Sequence, residues 1–238
     1  MNAGKHPTGR YQSLSVIVPV FNERNTVVEI LRRMRSVDLP VNREIVVVDD
    51  GSDDGTCDVL RQLGDSTVRV VTHPLNRGKG AAIRTGLQSV SGDLVLIQDA
   101  DLEYDPEDWP KLLAPVLTGK ATVVYGSRFT GERRNMLFLH WLGNRFLSLV
   151  TNVLFNTTLS DMETCFKLFD RQLLDGIGLR ADRFDFEPEI TAKVLRRGIR
   201  IYEVPISYTG REVHEGKKIN WRDGITALWT LIKYRFVE

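Results

Sequence analysis

Asp99 and Asp101 stand one residue apart at the end of an apolar run, Leu94-Val95-Leu96-Ile97-Gln98. In an extended chain residues i and i+2 point to the same side. The two carboxylates can therefore face one divalent cation, Mg2+ or Mn2+, whose preference for hard oxygen ligands also suits the diphosphate of a nucleotide. The tripeptide alone is a weak signal, because acidic pairs after a strand are commonly solvated turns. Its weight comes from three other polar clusters that each follow an apolar run: Pro19-Val20-Phe21-Asn22-Glu23, Asp49-Asp50-Gly51-Ser52, and His73 with Asn76-Arg77-Gly78-Lys79-Gly80. Acidic groups at the second position suit a ribose or a base edge. Asp-Asp-Gly-Ser is equally a good turn and helix start. Gly78 and Gly80 would let the backbone approach a ligand at a helix N-terminus, with Lys79 adding charge; a flexible basic loop explains the glycines as well.

These clusters need a scaffold that brings them to one rim. Residues 14–18, 45–48, 68–71 and 94–97 are short apolar runs bounded by turn residues and predict buried strands. Between them, Val27, Ile30, Leu31 and Met34 mark one apolar helix face, Val59, Leu60 and Leu63 a second, and Ala82, Ile83 and Leu87 a third. Strand and helix in alternation predict an α/β fold, a mostly parallel, Rossmann-like sheet flanked by helices. Such sheets bind ligands outside the carboxyl ends of their strands. The chain has no G-x-x-x-x-G-K-[ST], and Gly78-Lys79-Gly80-Ala81-Ala82-Ile83 fails G-x-G-x-x-G at its last glycine. NTP hydrolysis of the P-loop kind and hydride transfer both lose support.

The second half predicts strands at 122–125 and 199–204. Between them, residues 137–155 approach the length of a membrane span, but Arg145 near the centre, with His140, Asn144 and Asn152, argues against spanning. Residues 208–218 form a polar, Gly-containing loop with Arg211, His214, Lys217 and Lys218, suited to a mobile lid. The segment 221–236 places Ile225, Leu228, Trp229, Ile232 and Phe236 on one helical face with Lys233 and Arg235 near its end. That pattern fits an interfacial helix, or equally one packed on the sheet.

At 238 residues, with 32 Lys and Arg against 31 Asp and Glu, the chain has no overall field that would favour nucleic acid. Cys57 and Cys165 lack metal-ligand spacing and predict reduced thiols. The polar start carries no apolar signal core, which predicts a cytoplasmic protein. The expected organisation is a flexible tail at 1–13 and one domain at 14–238. Within the domain, 14–101 forms the nucleotide-binding half, 102–218 the acceptor half with its loop, and 219–238 a C-terminal amphipathic helix.

Taken in order, Ser15-Val16-Ile17-Val18-Pro19-Val20-Phe21-Asn22-Glu23, Val48-Asp49-Asp50-Gly51-Ser52-Asp53-Asp54-Gly55-Thr56, Asn76-Arg77-Gly78-Lys79-Gly80 and Gln98-Asp99-Ala100-Asp101 resemble the family 2 glycosyltransferases. Tyr125-Gly126-Ser127-Arg128-Phe129, Gly143-Asn144-Arg145 and Asp161-Met162-Glu163-Thr164-Cys165-Phe166-Lys167 are similar to its polyprenol-phosphate branch, the dolichol-phosphate mannose synthase type. The resemblance implies a GT-A fold, a UDP- or GDP-sugar donor, polyprenyl phosphate as acceptor, and inversion at the anomeric carbon. It implies donor contacts from Pro19, Phe21, Glu23, Asp49, Asp50, Lys79, Asp99, Arg211 and Lys217, and a divalent metal at Asp99, Asp101 and Glu103. Arg128 and Arg145 stand where acceptor-phosphate ligands are expected, with Arg133 or Arg134 as helpers. The loop reads Glu215-Gly216-Lys217-Lys218 where the mannose synthases typically have Gly-Glu-Ser-Lys. Asp101, Arg128 and Asp161 are the expected catalytic groups. A phosphate acceptor has a second pKa of about 6 and already carries its nucleophilic oxyanion. An alcohol acceptor would need a base, and Asp161 or Glu163 could serve; otherwise they orient Arg128 or Arg145. The implied setting is peripheral, on the inner face of the cell membrane, beside a small multispanning membrane partner.

Overall fold

The apolar runs of the first half form parallel strands: β1 (Ser13–Val20), β2 (Asn42–Asp49), β3 (Val68–Thr72) and β4 (Leu94–Ile97). The near-continuous Val, Ile and Leu content of β1, β2 and β4 follows from their position inside a sheet covered on both faces. In this computed structural model, which describes residues 10–211 and 221–237, the strands alternate with α1 (Val27–Ser36), α2 (Thr56–Gln62) and α3 (Lys79–Leu87). Helix α1 buries Val27, Ile30, Leu31 and Met34, the face that its 3.6-residue spacing marks out. Each fully buried aliphatic side chain of this kind contributes roughly 1.5–3 kcal/mol relative to exposure.

After β4 come a 3-10 turn (Pro106–Asp108), α4 (Trp109–Leu117), β5 (Val123–Ser127), α5 (Phe138–Phe155), β6 (Lys167–Asp170), α6 (Arg171–Leu174), α7 (Phe186–Arg196), β7 (Tyr202–Pro205) and α8 (Trp221–Phe236). The seven strands lie in the order β3-β2-β1-β4-β6-β5-β7. Strand β6 runs antiparallel to both neighbours and the other pairs are parallel. The winding reverses between β1 and β4, which opens a crevice at their carboxyl ends where ligands of such sheets bind.

Part of the segment expected as a flexible tail is tied to the sheet. Arg10 Nη2 and Tyr11 Oη donate to Asp170 Oδ2 at 2.9 and 2.8 Å, and the Gln12 and Ser13 amides donate to Asp93 Oδ2 at 2.7 and 3.1 Å. At the other end, α8 packs on α5 and α7 around Leu147, Met162, Ala192, Ala227, Leu231 and Tyr234. Both helices leave a second apolar stripe uncovered: Phe138, Leu142, Phe146 and Leu149 on α5, and Ile225, Trp229, Ile232 and Phe236 on α8. Among the described residues no helix is long and apolar enough to cross a membrane.

Candidate active site

The two aspartates at the carboxyl end of β2 divide their labour. Asp50 is consumed by the loop after β3: it pairs with His73 Nδ1 at 2.6 Å and accepts from Asn76 Nδ2 at 2.9 Å, the Arg77 amide at 3.0 Å and the Gly78 amide at 2.7 Å. Asp49 is fully buried; Ser52 Oγ donates to its Oδ1 at 2.5 Å, while Oδ2 has no partner among the described residues. A buried acceptor without a donor is costly, and a ligand N–H or O–H would complete it. Pro19 and Phe21, half-buried, close β1 beside it.

Gly78 and Gly80 serve a different purpose from the one expected. A Cβ on Gly78 would collide with the Asp182 carbonyl oxygen, and one on Gly80 with the Ala181 carbonyl oxygen. The Ala81 amide donates to Asp182 O at 3.1 Å. The backbone that approaches these glycines is the chain's own, from the second half. Lys79 between them points to the site, with Nζ 2.9 Å from Asp99 and 2.8 Å from Glu187. Burial opposes its charge, but these two carboxylates outweigh that and hold its pKa well above the ordinary lysine value.

Asp99, Asp101 and Glu103 follow β4 as expected, yet they have separate partners. Asp99 faces Lys79. Asp101 accepts from Arg211 Nη2 at 2.9 Å and from the Glu103 amide at 3.2 Å, and Glu103 accepts from Tyr208 Oη at 2.8 Å and the Arg211 amide at 2.9 Å. Leu102 between them takes a left-handed φ of 62°, a conformation that costs a non-glycine residue of order 1–3 kcal/mol. Arg211 also reaches Glu23 at 3.2 Å, so one guanidinium is shared by three carboxylates. Burial, with Asp99 and Glu103 nearby, pushes the Asp101 carboxyl up to about 7. Among the described residues no three His, Cys, Asp or Glu side chains gather as a metal group. The donor chemistry nevertheless fits a hard divalent cation: only carboxylate oxygens are offered, and their crowded charge is incompletely neutralised. Of these groups Asp101 borders a cleft of about 530 Å³, which Glu23, Arg24, Arg134 and Arg211 also line. Lys217, with His214 and Lys218, lies outside the described residues.

At the end of β5, Arg128 is buried against Asp161. Its Nε and Nη2 donate to the two Asp161 oxygens at 2.7 Å each, and its amide adds a third bond at 2.9 Å. Both oxygens of Asp161 are thus engaged by Arg128. Arg145 is exposed, and its Nη1 donates to Ser160 O at 3.3 Å. Three guanidinium carbons surround the Phe129 ring: Arg128 at 5.9 Å, Arg133 at 5.2 Å and Arg145 at 5.5 Å. Arg145 lies on α5 with exposed Leu142 and Leu149 three and four residues away, on the same helical face.

Sequence reasoning missed four contributors. Glu187 and Tyr208 hold Lys79 and Glu103 from remote parts of the chain. Phe129 has no polar group to mark it, and only the guanidiniums around its ring reveal its place. Glu203 does carry a signal in the sequence, since it is a carboxylate inside a predicted strand.

A mostly parallel sheet with acidic groups at its switch point and a basic cluster beside them is an α/β architecture with its polar groups where such sheets place ligands. The chain belongs to glycosyl transferase family 2, whose pattern matches residues 15–178, and it is a glycosyltransferase. It is 29% identical to a dolichol-phosphate mannosyltransferase of Pyrococcus furiosus over 86% of this chain and 58% of that one. It is 31% identical to an undecaprenyl-phosphate 4-deoxy-4-formamido-L-arabinose transferase of Edwardsiella ictaluri over 87% of this chain and 63% of the other. It therefore spans less than two thirds of the length of these two relatives. Glucosyl-3-phosphoglycerate synthase from Mycobacterium tuberculosis, solved with Mn2+, UDP and glucosyl-3-phosphoglycerate, superposes with a TM-score of 0.73 at 22% identity, covering 95% of this chain and 81% of that one. The fold is GT-A.

Proposed function

We propose that this glycosyltransferase moves a hexose or N-acetylhexosamine from a UDP- or GDP-sugar to polyprenyl phosphate, with inversion at the anomeric carbon. The observation that carries it is the cluster of Arg128, Arg133 and Arg145 around Phe129, set beside the uncovered apolar stripe of α5. An anionic head joined to a long apolar tail is the chemistry that such a surface matches. Arginine suits the head because its planar fork can hold two phosphate oxygens. Two relatives named for dolichol phosphate and undecaprenyl phosphate point the same way.

Asp49 takes a donor from the nucleoside through its buried Oδ2, with Pro19, Phe21 and Glu23 bordering the pocket and Asp50 holding its floor. Asp101 and Glu103, with Asp99 alongside, would hold a divalent cation, Mg2+ or Mn2+, which when bound would supply neutralisation of the charge that grows on the leaving diphosphate. Arg211 and Lys79, with Lys217, add cationic groups for the same charge. An acceptor phosphate oxygen attacks the anomeric carbon and the nucleoside diphosphate leaves with the bonding electrons of its own oxygen. The phosphate is largely dianionic at neutral pH, so no base is required, which accords with both Asp161 oxygens facing Arg128. The α5 and α8 stripes rest in the headgroup layer of the inner face of the cell membrane, where a small multispanning partner would meet the same face.

The test is transfer of label from a panel of UDP- and GDP-sugars to polyprenyl phosphate with Mg2+ or Mn2+, scored in organic solvent. Metal-dependent lipid label from one donor is expected. Donor hydrolysis without lipid label would overturn the acceptor and move it to a hydroxyl compound.

A further inference from the structure

The two arginines given to the acceptor come from different elements, yet both are referred to one turn. Arg128 closes β5 and is held by the side chain of Asp161; Arg145 sits on α5 and is held by the carbonyl of Ser160. Something must fix the Ser160–Asp161 turn if the guanidiniums are to keep their spacing. That anchor comes from the opposite side of β5. On β7, Glu203 lies in register with Tyr125, two residues before the Ser127–Pro205 pair that ends the ladder. Its Oε1 accepts from the Ser160 amide at 3.0 Å, the Ser160 hydroxyl at 3.0 Å and the Asp161 amide at 3.1 Å, and its Oε2 lies 2.9 Å from the Ser160 amide. The Ser160 hydroxyl also meets Ser127 Oγ at 2.6 Å, which ties the turn to the end of β5 itself.

We infer that Glu203 is a positioning residue for the acceptor phosphate, its carboxylate clamping the 160–161 turn so that Asp161 aims Arg128 and the Ser160 carbonyl aims Arg145. The inference rests on the acceptor proposed above. Glu203 touches neither substrate; it acts through two consecutive backbone amides, which a carboxylate satisfies and which would otherwise have to find other acceptors. A carboxylate is spent here although its burial is unfavourable to the charged form, because one group with several lone pairs can hold two N–H donors and a hydroxyl together. The donor side of the cleft, from Asp49 to Glu103, makes no hydrogen bond to this carboxylate among those described. A general loss of structure would weaken both substrates, whereas loss of this clamp should weaken one.

The experiment compares Glu203→Gln and Glu203→Ala with the wild-type chain, reading farnesyl phosphate binding by calorimetry, UDP and GDP binding with Mn2+, and the KM and kcat of lipid transfer. Gln keeps one acceptor oxygen in place and Ala keeps none. Farnesyl phosphate affinity and acceptor KM should therefore worsen roughly 3-fold to 10-fold for Gln and more than about 10-fold for Ala. Nucleotide affinity should stay within about 2-fold, the scale of a few tenths of a kcal/mol. Ser160→Ala, which loses the hydroxyl and keeps both amide bonds, should cost acceptor affinity less than Glu203→Gln. If Gln binds farnesyl phosphate like the wild type, or if nucleotide and acceptor affinity fall together, Glu203 does not position the acceptor arginines. If the wild-type chain binds nucleotide but no farnesyl phosphate, the acceptor proposal itself fails and takes this inference with it. Should Ala fail to fold, Gln and Ser160→Ala still decide.

Discussion

Asp161→Asn separates two roles that the same carboxylate could play. In the wild-type chain Asp161 is fully buried and receives the Arg128 amide, Nε and Nη2 within 2.7–2.9 Å. An amide keeps one acceptor oxygen and turns an NH2 group toward a guanidinium that has nothing to give it but more N–H. Arg128 is then a buried cation with its counter-charge removed, a change that costs about 3–5 kcal/mol. For a chain of this size each kcal/mol moves the midpoint by roughly 2–4 °C, so Tm should fall by about 6–20 °C. Scanning calorimetry or a urea titration reads this directly. Arg128→Met on top of Asp161→Asn removes the stranded charge and should recover part of the loss, the remainder being the buried side-chain amide left with only the residue 128 N–H as donor. The surviving folded fraction of Asp161→Asn should bind nucleotide normally and acceptor poorly. A Tm within about 2 °C of the wild type, a shift of less than about 1 kcal/mol, together with lost turnover and intact acceptor binding, would refute the pairing argument. Asp161 would then be the base of a hydroxyl-acceptor enzyme.

Arg145→Ala and Arg133→Ala remove exposed charges that stack on Phe129, so acceptor KM should rise roughly 10-fold with Tm unchanged, as for loss of one charge-assisted hydrogen bond; kinetics at varied lipid concentration checks it. Arg211→Ala takes away the guanidinium shared by Glu23, Asp101 and Glu103. Mn2+ titration without donor should then show several-fold tighter binding, while turnover falls. Burial and the neighbouring Glu187 push the Glu163 carboxyl to about 8, above an unfolded value near about 4.3. The folded chain therefore binds the extra proton, and this group's contribution to stability is lost as pH climbs between about 4.3 and about 8. Urea midpoints across that range should decline in the wild type and decline less in Glu163→Gln. Trp229→Asp places a charge at a side chain that is 64% exposed on the α8 stripe. Partition onto anionic vesicles should drop by about 10-fold or more, with soluble-donor hydrolysis preserved.

Strands β1, β2 and β4 were legible in the sequence because burial on both faces writes itself as apolar runs, and α1 as a clean 3.6-residue stripe; β3, expected as a buried strand, is the sheet edge, with Val68 buried and Val70 exposed. Strand β6 was not. It is four residues long, starts with the buried Lys167 and ends with Asp170, so its composition hides that its neighbours β4 and β5 were already in place to pair with it. Helix α4 carries Pro110 at its start and Pro115 inside, which disguises it as a loop. At the site, residues at or just beyond a strand's carboxyl end, such as Asp49, Asp99 and Arg128, could be placed from local pattern. Glu187, Glu203 and Tyr208 could not, since each acts across a contact made only by the folded sheet. Asp50 shows the limit of motif reasoning from the other side: it sits beside Asp49 in sequence, and only the hydrogen bonds show that it belongs to the neighbouring loop.

The glycines at the start of α3 bear on how this enzyme could be taken apart. Their missing side chains make room for the carbonyls of Ala181 and Asp182, and Arg84 from the same helix grips both of those residues. Strand β4 in turn is zipped to β6. A fragment ending at residue 101 would lose a covering layer and the partner of an interior strand at once, leaving a raw sheet edge primed for aggregation. The proposed division into donor and acceptor halves would thus be one of chemistry and not of assembly. Chimaeras that exchange donor preference among relatives should graft the loops on the rim and leave the seam between α3 and residues 181–182 uncut.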